Sequence, residues 1–442
     1  MADARAVVVS GPIRGFASLR AAVGAQRCRR VSAMIEVVGI GDDGWSGLSE
    51  ASRHLVERAD TVIGSPRQLD LLPSMGQQER RPLPSPLRDN LQSLVGESGR
   101  HTVVLASGDP FLSGIGTTLI KAVGREAVRV HPALSSEALA RARMGWSAES
   151  VDVVTLVGRS TDRFLPFVTP GARLVLLCSD GDSPAEVARL AVEAGAGTAQ
   201  LTAWWHLGGQ NEGSHSTTCA AWGDERTPDL VVVCLEVGVL DAEPQALGPA
   251  PGRADDAFEH DGLITKRDVR ATALARLRPW PGQVLWDLGA GSGAVGIEWC
   301  LAAPRARTVA IERDPDRADR VTQNAARFGV SSRVDVHVTS TSAAVRDDDL
   351  PRPDAVFLGG GLDRDVLDAA IAALRPGGRL VAHAVTRESE ALLHEVHRTH
   401  GGSLTRLAVE HLEPLGRFNG WKPARSVVQW CLTRPPRSKE SA

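Results

Sequence analysis

No two cysteines in this chain stand in a C-x-x-C pair. The six it has (Cys28, Cys178, Cys219, Cys234, Cys300 and Cys431) are scattered. That spacing excludes a structural zinc site and a disulfide framework, so no metal is expected. Several fall in apolar strand-like runs, where a buried thiol in a reducing cytoplasm is the simple reading. No apolar stretch approaches the roughly 20 residues that cross a bilayer, so no membrane partner is expected. There is no basic excess either: 50 Lys and Arg face 53 Asp and Glu, for a formal charge of −3 and a pI near 6.5. A general nucleic-acid binder carries the opposite balance. The length of 442 residues leaves room for two or three domains with ample core.

Residues 1–33 differ from the rest, with six arginines against the single acid Asp3. Gly11-Pro12 breaks the apolar part, and a strand-like run begins at Met34. The segment reads as a disordered tail, or as the product of a start codon assigned too far upstream.

The stretch around which the chain is organised is 284–298. Val284 to Leu288 is an apolar run suited to a buried parallel strand. It breaks at Asp287-x-Gly289-x-Gly291-x-Gly293 and resumes with helical spacing through Ile297 and Leu301. Glycines in such a turn admit a ligand close to the backbone, and the following helix offers free N–H groups. A second run, Thr308 to Ile311, ends in Glu312, placed to accept both hydroxyls of a ribose. Dinucleotide oxidoreductases and S-adenosylmethionine (SAM) methyltransferases share this plan. An acid at the strand end suits an ammonium-bearing amino acid and repels a pyrophosphate, which favours the methyltransferase.

The first half shows the same α/β grammar with different turns. Ile35 to Ile40 leads into Gly39-x-Gly41-x-x-Gly44, and helix 48–59 and strand 61–64 follow. A Pro-rich connection at 81–86 precedes another helix. Thr102 to Ala106 enters Ser107-Gly108-Asp109-Pro110, with Ile115 beyond it. Residues 127–130 lead to Pro132-Ala133-Leu134-Ser135-Ser136. After Trp146 the pattern restarts as strands at 151–156, 173–178, 199–204 and 230–237. Asp241 to Gly252 is rich in Pro, Gly and Ala without periodicity and reads as a linker. The limits so drawn are a domain at 34–238, a linker at 239–254, a domain at 255–435 and a tail at 436–442. Past the linker, Thr265 is a good helix N-cap, with Asp268 three residues on. Ala271, Leu274 and Leu277 are expected to pack that helix inward.

Residues 37–60, 103–116 and 132–146, together with Leu207-Gly208-Gly209-Gln210-Asn211-Glu212, resemble the tetrapyrrole (class III) methyltransferases, in particular the C5 enzymes of cobalamin synthesis. Residues 255–271, 286–299, 310–330, 353–361 and 374–386 resemble the decarboxylating C15 enzymes of that pathway. The resemblance implies a bilobal tetrapyrrole-methyltransferase fold followed by a Rossmann-like class I SAM-methyltransferase fold, with one SAM in each. It also implies a precorrin tetrapyrrole substrate, methylation at C5 and C15, loss of the C12 acetate carboxyl and a homo-oligomeric assembly. A cobalt-containing substrate and a non-catalytic tetrapyrrole carrier are the alternatives. Carried onto this chain, Ser107, Gly108, Asp109, Ile115, Ser135 and Ser136 border SAM in the first domain, and Gly39 and Gly41 leave room for the macrocycle. In the second, Asp287, Gly289, Gly291, Gly293, Glu312, Gly359 and Gly360 face the cofactor. Gly262, Lys266, Arg267 and Arg270 face the substrate carboxylates, with Arg253 a weaker candidate. Thr265, Lys266, His260 and Asp109 are the candidates to assist catalysis, His260 as a proton donor. An RNA methyltransferase would instead show an Asn/Asp-Pro-Pro-aromatic motif where Leu358-Gly359-Gly360-Gly361 stands.

Overall fold

The computed structural model describes residues 34–84, 100–240 and 248–435. The readings for 1–33, for a helix after the Pro-rich stretch and for the C-terminal tail lie outside them, as do residues 241–247 of the linker.

The first sheet is all parallel. Its strands are β1 (Ile35–Ile40), β2 (Thr61–Gly64), β3 (Glu79–Pro82), β4 (Thr102–Ser107) and β5 (Val128–His131), ordered β3-β2-β4-β1-β5. Every residue of β1 is buried, as a strand covered on both faces requires. Arg81 and Pro82, read as connection, form part of edge strand β3. The edge tolerates a proline because one side of it needs no ladder donor.

The second sheet is mixed and ordered β6-β7-β10-β8-β9. Its strands are β6 (Asp152–Thr155), β7 (Arg173–Leu177), β8 (Gln200–Trp205), β9 (Gly213–Thr218) and β10 (Val231–Glu236). Only the β6–β7 pair is parallel.

The third sheet belongs to the second half. β11 (Val284–Leu288), β12 (Arg307–Glu312), β13 (Val334–Val338), β14 (Ala355–Leu358) and β15 (Arg379–Ala384) run parallel, and β16 (Ser403–Leu407) and β19 (Val427–Thr433) close one edge antiparallel. The order is β13-β12-β11-β14-β15-β19-β16, so the winding reverses between β12 and β14, on either side of β11. In an open α/β sheet that reversal leaves a crevice beyond the strand carboxyl ends. Between β16 and β19, β17 (Glu410–Leu415) and β18 (Phe418–Pro423) pair only with each other as a hairpin.

Two local expectations fail. The helix after the linker begins at Arg267 with Lys266 as N-cap and no side-chain cap bond, so Thr265 does not cap it. Leu274 and Leu277 do pack inward. Gly252 and Arg253, read as linker, donate their backbone N–H groups to Glu298 at 2.8 and 2.9 Å and so are fastened to the second domain. The halves meet where the 3-10 segment Thr161–Phe167 lies against Ser331–Arg333, with Ser331 bonded to Asp162. Gly329 has φ +67°, and a Cβ there would stand 2.4 Å from the Asp162 carbonyl oxygen. Among the described residues no helix is long and apolar enough to cross a membrane.

Candidate active sites

In the first domain the turns after β1, β4 and β5 are stitched together by main chain. Gly108 N–H donates to Ile40 O at 3.0 Å, and Ala133 N–H donates to Gly108 O at 3.2 Å. A Cβ on Gly39 would lie 2.0 Å from that Gly108 oxygen. Gly39 is therefore needed for the turns to meet. A Cβ on Gly41 would fall 2.5 Å from Asp43 Oδ1. Gly108, at φ +54°, has the Leu134 carbonyl where its side chain would be. Asp109 Oδ1 accepts from Phe111 N at 2.8 Å, an Asx turn that shapes the loop. Ile115 is the N-cap position of helix Gly116–Val123, and Ser135 caps helix Ser136–Met144 by accepting from Ala138 N.

A cluster of polar side chains that includes His206 of the second lobe completes this site. Asp42 Oδ1 accepts from Arg67 at 2.9 Å, and its Oδ2 lies 3.0 Å from His206 Nδ1. Ser107 Oγ accepts from Gln68 at 3.1 Å. Asp43 sits instead beneath Gly41 and Gly47, so of the two acids it is Asp42 that spans the lobes. His206 has φ +51°, a left-handed conformation that non-glycine residues seldom adopt without a positional reason.

In the second domain a cavity of about 1490 Å³ opens at the winding reversal. Gly262, Thr265, Lys266 and Arg267 line it, as do Gly289, Gly291, Glu312, Gly359 and Gly360. A Cβ on Gly289 would stand 2.9 Å from Gly360 O, so the turns after β11 and β14 lie back to back. A Cβ on Gly360 would meet nothing within 4 Å. Glu312 accepts from Gly291 N at 2.9 Å and from Asp314 N at 3.1 Å, and its remaining lone pairs are free to take further donors. Main-chain N–H groups, a carboxylate at the end of β12 and the hydroxyls of Thr339–Ser342 fit a ligand with a ribose and an amino-acid tail. The cavity also exceeds a single cofactor site.

Five predicted residues lie outside the lining. Asp287 is buried on the sheet face beneath helix Ala294–Ala302, where its Oδ2 accepts from Gly296 N at 3.0 Å. Burial pushes its carboxyl up to about 7, helped by the nearby charge of Glu312, and its Oδ1 has no partner. Gly293 is required by packing, since a Cβ would lie 2.7 Å from Val321. Arg270 is fully buried, donating to Glu298 and Asp255 at 3.1 Å each and to the carbonyls of Thr265 and Arg253. The expectation that Arg270 faces the substrate carboxylates fails, because the helix turns it inward onto Glu298. His260 Nδ1 accepts from Gly262 N at 2.9 Å and braces residues 259–263, the segment that enters the cavity at Gly262 and Leu263, without itself lining it. Arg253 is also buried, bonded to the Ala250 and Gly248 carbonyls.

The entrance segment is clamped by residues the sequence reading missed. Asn324, fully buried, accepts from Glu259 N and donates to the Glu259 and Ser292 carbonyls. Asp261 pairs with Arg317 at 2.8 Å, and that guanidinium holds the Asp261 carboxyl below its ordinary range. His383 lines the cavity with its Nε2 2.9 Å from Gln429 Oε1, and burial lowers its pKa to about 4.

Two unlike α/β folds, each with glycine turns at its strand ends, define a SAM-dependent methyltransferase of two domains. Residues 34–221 match the family model described as Tetrapyrrole (Corrin/Porphyrin) Methylases, and 256–434 match the one described as Precorrin methyltransferase domain. A Sinorhizobium sp protein named precorrin-6Y C(5,15)-methyltransferase (decarboxylating) is 42% identical over 405 residues, spanning 91% of this chain and 97% of its own. One of the same name from Mycobacterium tuberculosis (strain CDC 1551 / Oshkosh) is 42% identical over 403 residues, spanning 91% and 100%. The solved C-terminal domain of precorrin-6Y C5,15-methyltransferase from Rhodobacter capsulatus is 45% identical, covers 42% of this chain and 100% of that one, and has a TM-score of 0.40. The chain belongs to the precorrin-6Y C5,15-methyltransferase (decarboxylating) family.

Proposed function

We propose that this chain methylates a metal-free precorrin-6-type tetrapyrrole at C5 in its first domain and at C15 in its second, with loss of the C12 acetate carboxyl, in cobalamin biosynthesis. Each domain binds its own SAM, which supplies the methyl group and a neutral thioether leaving group. The observation that carries the reading is the pair of separate glycine-turn sites on unlike folds, the second opening into a cavity of about 1490 Å³.

In the first domain the stitched turns hold Ser107, Gly108 and Asp109 against the donor, while Asp42, braced by Arg67 and His206, faces the ring from between the lobes. In the second, Gly289, Gly291, Gly359 and Gly360 leave backbone for the donor, and Glu312 takes its ribose. Lys266 and Arg267 grip acetate and propionate groups of the macrocycle, as guanidinium and ammonium groups grip carboxylates generally. The reduced ring is nucleophilic at its meso carbons, so alignment rather than a strong base carries most of the rate.

Incubating the purified chain with precorrin-6Y and SAM and weighing the product tests this. Two added methyl groups with one carbon dioxide lost is the expected result. An unchanged substrate mass, under conditions where a control enzyme turns over, rejects the reading, and binding without turnover identifies a carrier.

A further inference from the structure

The lining of the second-domain cavity is electrically lopsided. Lys266 and Arg267 at the helix start, and Arg313 and Arg317 beyond β12, make one part of it charged, interleaved with Asp255, Asp256, Asp268, Glu312 and Asp363, and Lys266 lies 3.6 Å from Asp255 and Arg317 2.8 Å from Asp261. The part made by the ends of β15, β19 and β16 is different, contributing Val385, Leu407, Val409 and Val427 with His383 at their base. These residues are contiguous. His383 pairs in register with Gln429 across β15 and β19, and Leu407 pairs with Val427 across β16 and β19. The imidazole is only 8% exposed, stands edge-on to Phe357 at 5.0 Å, and carries no charge near neutral pH because burial lowers its pKa to about 4. Arg425 and His411, two residues from Val427 and Val409 along the chain, also line the cavity, whereas Arg406 and Glu410, next to Leu407 and Val409, do not.

Granting the proposed function, the substrate bears several carboxylates, of which one must leave and the rest must be kept. A carboxylate paired with a guanidinium is stabilised against loss, whereas one pressed on an apolar wall is deprived of solvation that its neutral product does not need. We propose that the wall of Val385, Leu407, Val409 and Val427 beside His383 is the decarboxylation subsite. The acetate to be lost lies there, while Lys266, Arg267 and Arg425 hold the carboxylates that stay.

The chemistry closes without an added reagent. The bond from C15 to the methyl carbon forms as the carbon–sulfur bond breaks, and the C15 hydrogen leaves as a proton. The bond between the acetate methylene and its carboxylate breaks, its electron pair enters the conjugated ring, and carbon dioxide departs. The former methylene carbon then takes up one proton to become a methyl group, matching the proton released at C15.

Val385 is 51% exposed and tolerates a polar replacement without disturbing the core. In the full chain supplied with precorrin-6Y and SAM, V385K places an ammonium beside the acetate. C15-methylated product retaining the carboxyl, heavier by one carbon dioxide, is expected to rise about tenfold relative to decarboxylated product, equivalent to about 1.4 kcal/mol. V409K on the neighbouring segment shifts the ratio the same way. V385E, of comparable bulk and opposite charge, lowers turnover without accumulating the carboxyl-retaining product. Wild-type ratios in both lysine variants overturn the subsite, as does an equal shift in V385K and V385E. A wild-type chain that adds no methyl group at all rejects the proposed function instead, so the two failures are distinct.

Discussion

Asp42 and His206 stand 3.0 Å apart across the two lobes of the first domain, one from the glycine turn after β1 and the other just beyond β8. The pair is extended by Arg67 at 2.9 Å, and Gly209 approaches so closely that a Cβ would lie 2.3 Å from Asp42 Oδ2. The loop bearing Leu207 to Glu212 thus folds over the acid and fixes its direction.

Replacing Asp42 by Asn keeps the shape but removes the charge that both partners are bonded to. Hydrogen bonds to charged groups contribute about 1.5–3 kcal/mol each. A fall of about 10- to 100-fold in C5 methylation is expected, read from methyl incorporation by mass. H206A should reproduce most of that loss. C15 methylation should persist in both, because the second cavity shares no residue with this cluster; its disappearance would show that the pair supports the fold of the whole chain.

Much of this architecture was legible in the sequence where physics acts locally. The apolar run ending in Asp287-x-Gly289-x-Gly291 marked β11 and its turn, and Glu312 fell at the end of β12 as spacing required. Strand β9, Gly-Ser-His-Ser-Thr-Thr, was not legible, because an edge strand with little burial leaves no apolar alternation to read. Arg270 was grouped with Lys266 and Arg267 as facing substrate carboxylates, since a helix face is assigned only once the packing partner is known. Asn324, His206 and Arg67 act through partners 25 to 164 positions away, a relation that no local pattern encodes.

Arg270 and Glu298 form a fully buried pair, 3.1 Å apart and wholly shielded from solvent. Removing one partner of such a pair leaves an uncompensated charge and costs about 3–5 kcal/mol. R270M and E298Q are therefore expected to lower the denaturant midpoint of the second domain, with losses of that order in unfolding free energy. Loss of C15 activity should track loss of folded protein. If R270M stayed fully folded and only its substrate KM rose, the arginine would be a carboxylate reader after all.

His383 and Asp287 make opposite contributions to stability as pH changes. His383 has a folded pKa of about 4 against an ordinary 6.5, so the folded state binds fewer protons between those values. Its contribution is intact above pH 6.5 and is lost as pH falls towards 4, by about 3 kcal/mol at roughly 1.4 kcal/mol per unit. Asp287, raised from 3.8 to about 7, binds more protons when folded, so its effect destabilises as pH rises from 4 to 7. Urea unfolding across pH 4–8 separates the two. H383Q should flatten the acid limb, and D287N should be more stable than wild type at pH 8. The reverse order of either would mean the group is charged where burial forbids it.

The two glycine turns offer a test of independence. Gly108 has φ +54° with Leu134 O 2.9 Å from where a Cβ would lie, and Gly291 has φ +59° on the cavity wall. A valine in a left-handed conformation costs about 1–2 kcal/mol before any clash. At each position it also projects a branched side chain towards the backbone cradle proposed for the donor. G108V is expected to lose C5 methylation and keep C15 methylation with decarboxylation, while G291V does the converse. Titration calorimetry with S-adenosylhomocysteine should give two equivalents for the wild type and one for each variant. A single equivalent in the wild type, or loss of both methylations from either lesion, would mean that the two folds share one donor site rather than holding one each.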